Sequence, residues 1–271
     1  MQELVKTQGA HMIEYLYQTG DFNLFMIVSC FFGLISIAAL FIIRVFVPLP
    51  LRYQENAVIG CISAVVVVIY GVLAGFATVY LINNINFASN AVQHEVSAIS
   101  NLYRESRVLP SPLREQMKSD VNRYLTEVIE VEWPLMNKGM QVPDKGDSIL
   151  QDIVDKLNIT KVNNAFESQV VGDILVVVRD IYDARQERIQ LSYMSLNIEV
   201  WIVILLGTTL TLIVSYLFGI NFGLHIFVVI AAVLMTSSII FLLISLDKPF
   251  EGQYVVGAEM FEEALTFINK N

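Results

Sequence analysis

Long apolar runs alternate with polar sequence along this chain, two near its start and two near its end. They cover roughly residues 24–46, 57–82, 198–218 and 223–246, each near or above the ~20 residues that carry a helix across the hydrocarbon core. None holds an acidic or basic side chain in its interior; Arg44, Glu199 and Asp247 sit at the edges. Backbone groups inside lipid must be paired within their own segment, so each run reads as a helix. Pro48 and Pro50 force a break after the first run. Residues 11–17 have the pattern of an amphipathic helix lying in the interface. The expected architecture is all-α, with four transmembrane helices in a 2+2 arrangement and a helical insertion between the second and third spans. Residues 1–82 then form the N-terminal segment and first pair, 83–197 the insertion, and 198–271 the second pair and tail.

The insertion reads as helices throughout. Residues 88–108 are periodic, and Pro110-Ser111-Pro112 interrupts them. Ser111 as N-cap with Pro112 at the first helical position opens the next helix, which runs to about Trp133, where Pro134 disturbs it. Residues 139–147 read as a polar loop, and a short helix follows Asp147 or Ser148. A long helix from about Asn163 runs towards the third span with Val170, Val171, Ile174, Val178 and Ile181 on one face.

Charges fall on the wrong faces of these helices. Glu95 lies among Ala91, Val92, Ala98, Ile99 and Leu102; Glu132 flanks the stripe of Met117, Val121, Tyr124, Val128 and Val131. Arg185 and Arg188 share the arc of Ile174, Val178, Ile181 and Ile189. Glu95 is about 13 residues past the second span and Arg185 about 13 before the third. Straight helices would hold both roughly 20 Å from the membrane, side by side. A lone buried charge costs several kcal/mol, so Glu95, Glu132, Arg185 and Arg188 are expected to form a buried ion-pair cluster. Such a cluster either locks orientation and register or acts as an ion-sensing or proton-linked gate.

The second span sorts its side chains by size. Gly60, Ala64, Val67, Gly71, Gly75 and Thr78 follow one arc, while Ile62, Val66, Ile69, Leu73, Phe76 and Tyr80 fill the opposite one. Gly71 and Gly75 make a GxxxG. The small face either packs closely on another span or borders a conduction path in an oligomer.

Composition narrows the function classes. The apolar share is 55% and mean hydropathy +0.59, both high for an ordinary soluble domain. The net charge of −9 argues against nucleic acid as a partner. Lys6, Arg179, Arg185, Arg188 and Lys248 flank the insertion's side, against Arg44 and Arg52 opposite, so the insertion and both termini read as cytoplasmic at an inner (plasma) membrane. Cys30 and Cys61 lie in different spans and give no disulfide framework. His11, His94 and His225 are scattered without ligand partners at metal spacing, and no phosphate-binding loop or nucleophile elbow occurs. The chain reads as a non-enzyme without cofactor or metal. Spans free of charge disfavour proton-coupled transport and leave a passive path open. The expected partners are the lipid bilayer, further copies of the chain and inorganic ions.

Several short motifs converge on one family. Glu95 stands with Ser97-Ala98 and Asn101-Leu102-Tyr103-Arg104, followed by Leu109-Pro110; then come Tyr124 and Glu132-Trp133-Pro134. Arg185-x-x-Arg188, Trp201 and Pro249-Phe250-x-Gly252 complete the set. In these motifs the chain resembles the bestrophin-like family of uncharacterised bacterial membrane proteins, and more distantly the bestrophin anion channels. The resemblance implies two spans, a cytosolic helical insertion, two more spans and a short tail. It also implies a homo-oligomeric ion channel, anion-conducting by analogy, with the second span along the pore. Trp133, Pro134, Trp201, Pro249, Phe250 and Gly252 would be structural. One departure matters: the second span has Val65 to Val68 and small residues where a bestrophin neck has a proline-aromatic constriction. The rival reading is a membrane-anchored helical scaffold that recruits a cytoplasmic partner without conducting ions.

Overall fold

The computed structural model describes residues 21–46, 54–160, 165–251 and 256–270. The segment 11–17 and Gly252 therefore lie outside the described residues. Among those described there is no strand, and four helices are long and apolar enough to cross a membrane. The chain divides into two compact units.

The first unit comprises Met1–Asn83 and Ser195–Asp247. Its helices are α1 (Asp21–Phe46), the first part of α2 (Asn56–Ser106), α7 (Ile198–Leu217) and α8 (Phe222–Leu246). Helix α8 packs along α1 and against α7. Tyr70, Ala74, Ala77 and Leu81 of α2 join Leu24, Val28, Ile204 and Leu243 in one buried cluster. Trp201 packs at its margin. Large apolar side chains such as Phe31, Leu34, Val68 and Phe76 remain exposed, the surface a bilayer or another apolar partner would cover.

The second unit comprises Asn84–Met194 and Lys248–Asn271. It holds the rest of α2, then α3 (Ser111–Glu127), a π-helical turn (Val128–Glu132), α4 (Trp133–Met136), α5 (Lys145–Ile159), α6 (Ala165–Ser192) and α9 (Glu259–Lys270). Several details depart from the sequence reading. Helix α2 runs unbroken for 51 residues from the second span, the straight continuation that the placement of Glu95 supposed, and ends at Ser106, short of residue 108. Helix α3 starts one residue early, with Pro110 as N-cap and no side-chain cap bond. Its Pro112 still falls in the first turn, where a missing N–H costs nothing. Helix α5 begins at Lys145, so the end of the 139–147 loop is helical. Helix α6 ends at Ser192 and does not run on into α7. The tail from Lys248 on packs with this unit, where α9 buries Phe261, Ala264 and Ile268.

Candidate functional site

A π-helical turn, Val128–Glu132, carries Glu132 and sets the phase of the residues after it. Trp133 N–H bonds Val128 O, five residues back. Pro134 has no N–H to bond Glu130 O, so an ordinary α-helical turn is incomplete there anyway. The extra residue rotates the helix beyond it back by about 100° relative to an unbroken one. Trp133, which an unbroken helix would leave about 140° from Val128, is thereby buried. Its ring meets Phe250 at 5.6 Å and Phe261 at 5.5 Å between centroids. Pro134 itself stays exposed, and Pro249 is buried with its carbonyl accepting from Val256 N–H.

Around that turn four charges meet with no water-facing surface. Glu95, Glu132 and Arg188 are each 0% exposed and Arg185 1%. Arg188 grips Glu95 with two donors, Nε to Oε2 at 2.6 Å and Nη2 to Oε1 at 3.0 Å, and Nη2 also reaches Glu132 Oε2 at 2.7 Å. Its Nη1 lies 3.0 Å from Met136 Sδ, and the guanidinium stacks near Trp133 and Phe261. Arg185 donates from Nε and Nη2 to Glu132 Oε1 at 3.1 and 2.9 Å. It also donates to Asp147 and to Pro143 O. Tyr124 closes the set, donating its hydroxyl to Glu95 Oε1 at 2.7 Å.

Pairing inverts the usual effect of burial on these groups. Burial alone would lower both guanidinium pKa values. The carboxylates outweigh it, chiefly Glu95 for Arg188 and Glu132 for Arg185, and raise both. The Tyr124 phenol is pushed well above its ordinary value by burial and by the charge of Glu95. Both guanidinium groups therefore stay charged, and the Tyr124 phenol keeps its proton, at neutral pH.

The site contains members that periodicity did not reveal. Arg188 rather than Arg185 faces Glu95, and Arg185 is held by Asp147. Asp147 carries no sequence signal, being an ordinary acid in a first helical turn. Gly146 signalled a loop yet lies in the first turn of α5, where a Cβ would fall on Glu132 and 2.6 Å from Arg185 Nε. Glycine is what permits the backbone of α5 to approach the charges.

In the first unit, the glycines of the small face of α2 meet open space among the described residues. A Cβ built at Gly60, Gly71 or Gly75 meets nothing within 4 Å. Ala64 and Val67 are exposed, and Thr78 is half-buried with its hydroxyl donating to Ala74 O at 2.9 Å. The close approach within this chain uses another arc and another glycine. A Cβ at Gly207 of α7 would come 2.5 Å from Tyr70 Cδ2, and Thr208 donates to the Tyr70 hydroxyl at 3.1 Å.

None of the curated proteins matches the sequence. Crystal structures share the fold at 14% identity. Two variants of a bacterial bestrophin homologue from Klebsiella pneumoniae align with TM-score 0.65, over 91% of this chain and 99% and 98% of theirs. A crystallised membrane protein aligns with TM-score 0.66, over 91% of this chain and 97% of its own. The model of the bestrophin-like domain matches residues 30–261. With four membrane-length helices and that match over most of its length, the chain is a membrane protein that belongs to the bestrophin-like family.

Proposed function

We propose that this protein is an oligomeric membrane ion channel, anion-conducting by analogy with its family, whose second span lines the pore. The observation that carries the reading is the small-residue arc of α2, where a Cβ at Gly60, Gly71 or Gly75 meets nothing within 4 Å among the described residues of its own chain. Small side chains leave room along a helix face, and one face cannot enclose a path by itself. Further copies of the chain supply the remaining walls. Gly60, Ala64, Val67, Gly71, Gly75 and Thr78 are the pore-face residues in this reading. Inorganic ions are the cargo, and the exposed apolar side chains of the first unit meet lipid.

Each protomer crosses the inner membrane twice before and twice after a cytoplasmic helical insertion, with both termini cytoplasmic. The 2+2 order follows the chain positions of the four membrane-length helices, and the orientation follows the lysine and arginine distribution. The buried cluster of Glu95, Glu132, Arg185 and Arg188 serves as a register lock for the helices of the insertion.

Gly71→Phe tests the pore assignment. The new ring has open space in its own protomer, so the variant should assemble normally and conduct at least about tenfold less in liposomes, the effect of ~1.4 kcal/mol on the barrier. Loss of assembly with that substitution would show that the arc is a packing face and not a pore.

A further inference from the structure

Among the described residues of the first unit, Arg44 is a cation whose charge no carboxylate answers. It sits in the last turn of α1, two residues from the end of a membrane-length helix. Its Nη2 donates to Ile220 O at 3.2 Å and lies 3.3 Å from His225 Nδ1. A guanidinium can only donate, so Nδ1 accepts, and His225 Nε2–H donates to Ser215 O at 3.1 Å. Both acceptors of Arg44 are thus neutral. Its Nε is shielded from solvent and makes no hydrogen bond. Among the described residues no carboxylate lies within ion-pair distance of it. The neighbouring loop is tied to the start of α2, where Asn56 bonds both the N–H and the carbonyl of Gly219, at 2.8 and 3.1 Å.

The surroundings of this charge are apolar and open. The guanidinium carbon is 4.6 Å from the centroid of the Phe222 ring, and Phe222 pairs with Phe41 at 6.4 Å. Phe41, Val45, Phe46, Phe222 and Leu224 are all exposed, Val45 and Phe46 at 78%. A cation fixed at the end of a span, without a counter-charge among the described residues and rimmed by exposed hydrocarbon, matches an amphiphile with an anionic head.

We propose that Arg44 binds the phosphate of an anionic membrane lipid whose acyl chains lie on Phe41, Val45 and Phe222. Arginine is suited to phosphate because its planar donor edge matches the oxygens. A free phosphate satisfies the charge equally well but leaves the apolar rim uncovered, which favours the lipid as the source. The site is independent of whether the protein conducts ions.

The test is native mass spectrometry of the purified full-length protein, titrated with phosphatidylglycerol and with diacylglycerol of the same acyl chains. The wild type should retain phosphatidylglycerol at least about tenfold more strongly, the size of one charge-assisted hydrogen bond. Arg44→Gln should erase that preference, and Arg44→Lys should keep part of it. Inorganic phosphate that displaces the lipid at equal concentration would support the same site with a free anion as its source. Equal retention of the two lipids by the wild type would overturn the proposal without recourse to any variant. So would an Arg44→Gln protein that keeps the full preference.

Discussion

A guanidinium removed from water needs an anion or an acceptor on each donor edge, and Arg188 finds them in Glu95, Glu132 and Met136. Removing one partner strands the others, and this sets the scale of the mutational effect. Arg188→Ala and Glu95→Ala should each cost about 3–5 kcal/mol in chemical denaturation of the full-length protein. Glu115, whose side chain is 66% exposed, should tolerate Glu115→Ala within about 0.5 kcal/mol. Equal, small losses at all three positions would show that the cluster does not hold the fold. Tyr124 adds a pH dependence of known sign. In the unfolded chain its phenol ionises near about pH 10, while in the folded chain it holds its proton to higher pH. Its contribution is present below that value and is lost as pH rises through it. Melting temperatures followed from about pH 8 to about pH 11 should fall more steeply for the wild type than for Tyr124→Phe. Parallel curves would remove Tyr124 from the account. Glu95 was legible in the sequence because α2 keeps one helical period past it. Asp147 was not, because its contact with Arg185 joins residues 38 apart.

At the scale of elements, the π-helical turn and the start of α5 converge on the same charges. The sequence announced Pro134 as a disturbance but not its form, and phase beyond it depends on which carbonyl Trp133 N–H selects. That is why Trp133 and Met136, off the stripe of a continuous helix, are buried. Helix α5 shows the opposite error. Gly146 looks like loop chemistry, yet it is required inside a helix by the side chains above it. Gly146→Ala should therefore destabilise by about 1–3 kcal/mol through overpacking. Gly172→Ala, at a helical position with nothing within 4 Å, should be neutral or stabilise by up to about 1 kcal/mol. Equal effects in thermal melts would deny the close approach of α5. The docking of α9 through Phe261, and of Phe250 on Trp133, was likewise hidden. Each joins segments more than a hundred residues apart.

For the whole molecule, hydropathy alone located the membrane helices, because a span of lipid thickness demands a long apolar run whatever its neighbours. The extent of α2 was less plain, since its amphipathic second half obeys a different pattern from its apolar first half. Which arc of α2 packs within its own chain was not legible, since Tyr70, Ala74, Ala77 and Leu81 lie on neither the small nor the large arc. That depends on Tyr70 settling over Gly207, a choice fixed by packing and not by periodicity. The family supplies the expectation of conduction, and the small-residue arc supplies a surface for it. The measurement that bears most directly on this account is chloride and potassium flux through the purified, assembled protein in liposomes, set against empty vesicles. Chloride flux should stand well above that of empty vesicles, exceed potassium flux and be suppressed by Gly71→Phe in an intact oligomer. A well-assembled oligomer that passes neither ion, at any pH or calcium concentration tried, would contradict the channel reading.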